Sequence, residues 1–395
     1  MKAGQAENPF IRLCERLIAP LGRFLGGRLP WRNQSGLFFF FPFCHTGGAE
    51  KVHSQIVSCF ADQRPWVFFT KWSPQLQVML GEFEKHTHVF NWRRLLKYTY
   101  PLSAGMMAGF INKHPNAVVF GCNTLFYYRM LPWLAPHVRK IDLLHAFGGG
   151  AEEFSLPLAG LLDRRVVINR QTIADLTRQY QHHGLDPQLA DRIQLIPNAV
   201  PVPDEYRSKA FDGKLNILFV GRNGAEKRVH LIGRIASACA GQKLPVRLLL
   251  VGDVESALAP ADRPHCRLAG PIRDSHELDR LYDEAHLLLL TSSREGFPLT
   301  IMEAMSHGAV PIATAVGGIP EHISHGENGF LLDQPENDDA VVEQAVNIIS
   351  DLCTDHDKVE QLSRTAFAYA AANFSEQNFR HAYRMLLGRE ETEHA

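Results

Sequence analysis

The chain has no CxxC pair, no long apolar run and almost no net charge. Its seven cysteines (Cys14, Cys44, Cys59, Cys122, Cys239, Cys266, Cys353) are scattered and odd in number. That excludes a disulfide framework and a zinc ribbon, and suits reduced thiols in a cytosol. No apolar stretch approaches the about 18 residues a spanning helix needs. The opening MKAGQAENPF lacks the charged-then-apolar order of a signal peptide. The expected location is therefore cytoplasmic, with peripheral attachment to the inner membrane face left open. A formal charge of −1 and no RNA or DNA motif exclude a nucleic-acid partner. No GK[ST] closes a Walker loop, and NILFVGRNGAEKR carries GxxG where a dinucleotide fingerprint needs GxGxxG. The one DxD, Asp355–Asp357, sits in a polar stretch and reads as a helix-start acid cluster rather than a metal site, and no cofactor fingerprint is present.

What is present is ordinary globular composition, 45% hydrophobic and 21% charged, in 395 residues. That length implies two domains. The charge is unevenly spread. Residues 1–200 hold 22 Lys+Arg against 13 Asp+Glu (+9), and residues 201–395 hold 19 against 29 (−10). All five tryptophans (Trp31, Trp66, Trp72, Trp92, Trp133) lie in the basic half. Such a half suits an anionic lipid surface or an anionic acceptor. Residues 9–32 mix Ile, Leu and Phe with five Arg and one Glu, the composition of an interfacial amphipathic segment or of a docked extension. Pro20, Gly22, Gly26 and Gly27 interrupt it, so one long helix is not expected.

From Leu37 the pattern is strand, loop, helix, repeated. LFFFFPF, WVFFT, AVVFG, IDLLHAF and VVIN are short buried-strand candidates. A Pro-rich, then polar stretch over 195–214 interrupts the pattern, which begins again with NILFVG, VRLLLVGD, HLLLLTSS, AVPIAT and GFLLD. Strands alternating with helical patterns imply parallel sheets covered on both faces. The fold class is α/β: two doubly wound Rossmann-like domains facing across a cleft, with ligands at the carboxyl ends of the strands.

The chemistry concentrates in SREGFPLTIMEAMSHGAVPIAT, where Glu295 and Glu303 stand eight positions apart. HLLLLTSS delivers Glu295 to a strand end, and Gly296 lets the backbone approach a ligand. Pro298 suits the first helical turn. The N–H groups of Gly296, Phe297 and Leu299 then offer a phosphate site at a helix start. Glu303, one turn in, can accept two hydrogen bonds from a vicinal diol such as ribose; Glu295 can accept from sugar hydroxyls. Arg222, straight after Gly221 and a strand, and Lys227 supply cations, each charge-assisted bond to phosphate worth roughly 1.5–3 kcal/mol. His182 and His183 read as a solvated helix end, and Gly148–Gly150 as a loop that is flexible or orders over substrate.

FVGRNGAEK followed by SREGFPLTIMEAMSHGAVPIATAVGGIPEHISHGENGFLLDQPEND resembles the donor half of the retaining nucleotide-sugar glycosyltransferases of GT-B architecture, glycosyltransferase family four, the glycosyl transferases group one. TGGAEK, DLLHAF and RIQLIPNAV resemble N-terminal pieces of the same family, and together the matches cover most of residues 37–385. The resemblance implies catalytic roles for His145, Glu295, Arg222 and Lys227. It places the donor on Gly47, Gly48, Gly221, Arg222, Lys227, Glu295, Gly296, Phe297, Pro298, Leu299 and Glu303, with no metal. Arg222 and Lys227 would neutralise the diphosphate, Glu303 hold the ribose, Glu295 the sugar, and His145 face the sugar. Three positions depart from the family: Arg228 and Ala199 stand where Gly is usual, and Ala146 follows His145 where Asp is common.

The resulting domain scheme is an N-terminal extension at 1–36, an acceptor-side domain at 37–200, a linker at 201–214 and a donor-binding domain at 215–370. A C-terminal helix at 371–395 would cross back to the first domain. The expected function is retaining transfer of a hexosyl or related group from a nucleotide-diphosphate sugar to a glycan or lipid-linked acceptor, in cell-envelope or exopolysaccharide synthesis. No independent candidate for a covalent nucleophile stands out, which favours front-face attack. The alternatives are a GT-B nucleotide-sugar epimerase or hydrolase, and a non-catalytic nucleotide-sugar-binding protein.

Overall fold

The computed structural model describes residues 9–30, 35–44, 47–71, 77–91 and 93–388. Trp31, Trp72 and Trp92, and Thr46 of the first glycine loop, lie outside them. The chain divides into two compact units, one of residues 1–196 with 378–395 and one of residues 197–377.

The first unit opens with α1 (Pro9–Gly26), followed by β1 (Leu37–Phe41), α2 (Gly48–Ser58), β2 (Trp66–Phe69), α3 (Gln77–Glu84), β3 (His88–Asn91) and α4 (Arg93–Ile111). It continues with β4 (Val118–Cys122), α5 (Leu125–Met130), β5 (Arg139–Leu144), α6 (Ala151–Ser155), β6 (Arg164–Val167), α7 (Arg170–His182) and β7 (Ile193–Leu195). All strand pairs are parallel, in the order β3-β2-β1-β4-β5-β6-β7. β1 shows why an unbroken apolar run means a central strand. Phe38 and Phe40 point to one face, against Trp66, Phe68 and Phe110. Phe39 and Phe41 point to the other, against Phe60, Phe120 and Phe83. Side chains alternate across a strand, so only a sheet covered on both sides buries every one.

The second unit contains β8 (Leu215–Val220), α8 (Val229–Gly241), β9 (Val246–Val251), β10 (Cys266–Gly270), α9 (Ser275–Glu284) and β11 (Leu287–Leu290). Then come α10 (Leu299–Ser306), β12 (Val310–Thr314), β13 (Phe330–Leu332), α11 (Asp338–Thr354) and α12 (His356–Asn373). Its sheet is also parallel, ordered β10-β9-β8-β11-β12-β13. In both sheets the strand order reverses at the first strand of the unit, which puts a topological switch point beside β1 and β4, and beside β8 and β11. A last helix, α13 (Glu376–Leu387), returns to the first unit. Arg139 donates to the carbonyls of Leu386 (2.6 Å) and Gly388 (3.1 Å), and Arg384 to that of Cys59 (3.0 Å). A guanidinium on the last carbonyls satisfies them and favours the negative helix end.

A buried ion pair ties the centre of the first sheet together. Asp142 and Arg165 are register partners on β5 and β6, 2.7 Å apart and almost without exposure. Tyr128 donates to Asp142, while Arg165 donates onward to Ser155 and Tyr180. Burial opposes the Arg165 charge, but Asp142 outweighs it and holds the guanidinium above its ordinary range. A buried pair is tolerated only when its remaining donors and acceptors are also met, as here.

Residues 9–26 form one helix, contrary to expectation, with Pro20 inside it. The glycines that read as breakers are its docking face. A Cβ at Gly22 or Gly26 would strike the carbonyls of Leu102 or Met106 on α4; one at Gly105 or Gly109 would strike those of Ala19 or Arg23 on α1. Backbone-to-backbone packing offsets the helix propensity lost to glycine. Among the described residues no helix is long and apolar enough to cross a membrane, and no disulfide forms.

Candidate functional site

In the second unit the site is a seam between two loops, one after β8 and one after β11. Ser293 N–H donates to the Glu226 carbonyl (2.8 Å), and the Thr291 hydroxyl to the carbonyls of Lys227 and Arg228 (both 3.1 Å). Stitched this way, the loops bring Lys227 Nζ to 2.5 Å from Glu295 Oε1, in an ion pair only 17% and 11% exposed. Arg222 extends outward, 70% exposed, and meets Glu226 at 3.1 Å. Burial would raise the Glu226 carboxyl; its own backbone N–H and the Arg222 and Lys227 charges hold it below its ordinary range. Both cations read from the sequence thus lie against an acid. An anion entering here would exchange carboxylate partners for its own oxygens, without desolvating new cations.

Arg228, the departure from glycine, has a left-handed φ of 46°. That conformation explains why glycine is usual there. Arg228 holds it by donating to the carbonyls of Thr291 (2.7 Å) and Pro335 (2.6 Å) and to Asp338 (3.0 Å). It fastens the β8 loop to β11 and α11, and the glycine's function is replaced by side-chain anchoring.

The β11 loop is shaped by close backbone approach. Gly317 has φ +57°, and a Cβ there would strike the Glu295 carbonyl; Gly318 N–H donates to the Gly296 carbonyl at 2.6 Å. This is the physical content of VGG in the sequence. Gly221 is shielded likewise: a Cβ at Gly252 would strike its carbonyl. Pro298 stands one residue earlier than expected, as the N-cap of α10 in extended conformation, with its carbonyl accepting from Ile301 N–H (3.1 Å). Phe297 is buried and stacks on His322 at 4.1 Å, so its side chain anchors the loop and only its backbone is available to a ligand. Leu299 is buried too. Glu303, on α10, accepts from the Tyr282 hydroxyl at 2.9 Å, and Tyr282 is fully buried. Neither Tyr282 nor Glu226 carried any signal in the sequence, since their roles come from pairing across elements.

In the first unit Gly47 caps α2 and Gly48 begins it. A Cβ at Gly47 would collide with the Glu50 carboxylate, which lies back over the loop. His145, just past β5, places Nε2 at 3.0 Å from Nε2 of His53 on α2. His53 is buried and stacked on Phe41 at 4.1 Å. Burial holds His145 at about 4; burial, then the neighbouring His145, pushes His53 well below its ordinary range. Both rings are neutral near pH 7, and one Nε2–H donates to the other Nε2. His53 Nδ1 is buried without a partner. A buried lone pair is better tolerated unpaired than a buried N–H, so His53 carries its proton on Nε2 and His145 on Nδ1. His53 went unnoticed in the sequence because a histidine on an amphipathic helix has no distinguishing mark.

His53, Cys122 and His145 bring one donor atom each within 4.8 Å of one another, the single such group among the described residues. The donor set would suit a soft ion such as zinc. However, the histidine pair already uses one Nε2 lone pair on the other ring's proton. Burial, then Asp142 and Glu50, push the Cys122 thiol well up, against the thiolate a metal needs. These residues fit a neutral hydrogen-bonded cluster better than a metal site.

The other motifs resolve simply. Asp355 caps α12, accepting from Lys358 N–H at 2.9 Å. His182 and His183 are exposed at the end of α7. Gly148 and Gly150 take left-handed φ of 78° and 89°, and Gly150 caps α6.

Residues 214–351 match the family model of glycosyl transferases group 1. A putative colanic acid biosynthesis glycosyltransferase, WcaL of Salmonella typhimurium, is 33% identical over 111 residues, 27% of this chain and 26% of the relative. The chain thus matches only about a quarter of that relative's length. The 2-deoxystreptamine N-acetyl-D-glucosaminyltransferase of Niallia circulans is 26% identical over 312 residues, 75% of each chain. Among solved structures, Anabaena Alr3699/HepE in complex with UDP-glucose aligns over 89% of this chain and 99% of its own with a TM-score of 0.69, at 19% identity.

Proposed function

We propose that the chain, whose residues 214–351 match the glycosyl transferases group 1 model and whose fold is GT-B, transfers a sugar from a nucleotide-diphosphate donor to a glycan or lipid-linked acceptor with retention of anomeric configuration. The observation that carries this reading is the seam at the switch point of the second sheet. There Lys227 and Glu295 are paired, Arg222 is exposed beside them, and Glu303 is held one helical turn away.

In the proposed reaction the anomeric carbon loses its bond to the leaving diphosphate oxygen and gains one to the acceptor oxygen on the same face. The acceptor proton passes to the departing phosphate oxygen. The state between is oxocarbenium-like, with negative charge growing on the diphosphate. Arg222 and Lys227 stabilise that charge from positions set before the reaction, which is where electrostatic catalysis is strongest. Glu295, released from Lys227, accepts from the donor sugar's hydroxyls, and Glu303 from the ribose. His145 offers its Nδ1–H as a neutral donor to the sugar. None of these roles calls for a metal. The colanic acid relative supports an envelope or exopolysaccharide product.

The test is calorimetric titration in EDTA against UDP-, GDP-, ADP- and CMP-sugars, followed by NMR of the product's anomeric configuration. One nucleotide class should bind, and the product should retain configuration. An inverted product, or turnover to an epimer or free sugar unaffected by any acceptor, overturns the reading.

A further inference from the structure

Most surface helices turn their large apolar residues inward. α1 does the reverse. From Arg16 on, where its side chains are described, the buried positions are Ala19, Gly22 and Gly26, packed on the α4 backbone. Its outward positions are Leu17 (69% exposed), Leu21 (56%) and Phe24 (57%), with Ile18, Leu25 and, in the turn that follows, Leu29 beside them. Six of the nine large hydrophobic residues that are exposed among the described residues therefore lie on this one short segment. Scattered exposed leucines need no explanation; a contiguous patch does.

We propose that this face of α1 is a docking surface for an anionic lipid bilayer, with the helix lying in the interface. The charges select that partner. Arg16, Arg23 and Arg28 are all exposed along the patch. The Arg28 guanidinium lies 3.4 Å over the Phe24 ring, and Lys113 reaches the Leu29 carbonyl at 2.5 Å. Apolar side chains ringed by long basic ones are what an interfacial helix presents, with stems following the acyl boundary and charged heads at the phosphates. A second copy of the chain fits less well, because a two-fold contact would set the arginines of one patch against those of the other. The helix docks through glycine and alanine backbone contacts, which leaves Leu17, Leu21 and Phe24 more than half exposed. Each basic residue near an anionic surface contributes about a fivefold gain in affinity, so the three arginines together contribute on the order of a hundredfold.

The inference does not depend on the transferase reading, and its test uses no nucleotide. Full-length protein is floated with vesicles of phosphatidylglycerol and phosphatidylcholine, or of phosphatidylcholine alone, at low and high salt. Binding is expected to the anionic vesicles, weakened by salt. Leu17→Ser/Leu21→Ser/Phe24→Ser and, separately, Arg16→Gln/Arg23→Gln/Arg28→Gln should each reduce it at least tenfold. All substituted residues are exposed, so circular dichroism and Tm should match the parent. Failure of the parent protein to bind anionic vesicles overturns the proposal. So does a concentration-dependent dimer, seen by light scattering, that the leucine and phenylalanine substitutions dissolve while vesicle binding is untouched.

Discussion

Lys227→Met and Glu295→Gln should move nucleotide binding in opposite directions. Without ligand the two side chains form a 2.5 Å pair, 17% and 11% exposed. If Lys227 is a diphosphate ligand, Glu295 competes with the nucleotide for it. Removing the lysine deletes a charge-assisted bond worth roughly 1.5–3 kcal/mol, or about 10- to 150-fold in Kd for the nucleoside diphosphate. Replacing Glu295 by the near-isosteric glutamine removes the competitor. Free diphosphate should then bind several-fold tighter, by roughly the 1 kcal/mol such a partly exposed pair contributes. The intact nucleotide sugar should gain less or lose affinity, because its sugar hydroxyls lose a charged acceptor. Calorimetry of both variants with diphosphate and nucleotide sugar reads all four changes, and thermal unfolding checks that each variant folds. Weaker binding of the bare diphosphate to both variants would refute the competition argument. Unchanged binding in Lys227→Met would remove Lys227 from the site.

Three further outcomes are expected. His145 is held neutral down to about pH 4 against about 6.5 when unfolded, so the unfolded chain binds more protons between those values. Stability is therefore full above about 6.5 and falls on acidification, by about 3 kcal/mol at most from this group; Tm measured from pH 7 to 5 should fall less steeply in His53→Phe/His145→Phe. Asp142→Ala strands the Arg165 guanidinium without its carboxylate in the first sheet and should cost about 3–5 kcal/mol, measured by urea unfolding, if the variant folds at all. Arg228→Gly keeps the left-handed backbone but loses the anchoring bonds, whereas Arg228→Ala loses the bonds and strains the backbone, so Ala should be less stable than Gly by about 1 kcal/mol. Equal midpoints for those two variants would mean that the φ of 46° carries no strain.

The sequence by itself determined the strands buried on both faces, because a run such as LFFFF can satisfy its side chains only inside a covered parallel sheet. It also determined the local chemistry at the end of HLLLLTSS, where glycine, proline and two acids stand within one loop and one helical turn. What it did not reveal were β3, β7 and β10, each at a sheet edge. An edge strand is half-solvated, and the intermediate and exposed positions of β10 leave no continuous apolar run to read. Nor did it reveal α1 as one helix, since glycine reads as a breaker until α4 is there to receive it. The pairings that decide the chemistry were beyond sequence for a simpler reason. Lys227 and Glu295 are 68 residues apart, and His53 and His145 are 92 apart. No local propensity couples such positions. They meet because, within each unit, a parallel sheet brings segments from distant parts of the chain to its carboxyl edge, and only the tertiary structure decides which cation rests on which acid and holds both histidines neutral.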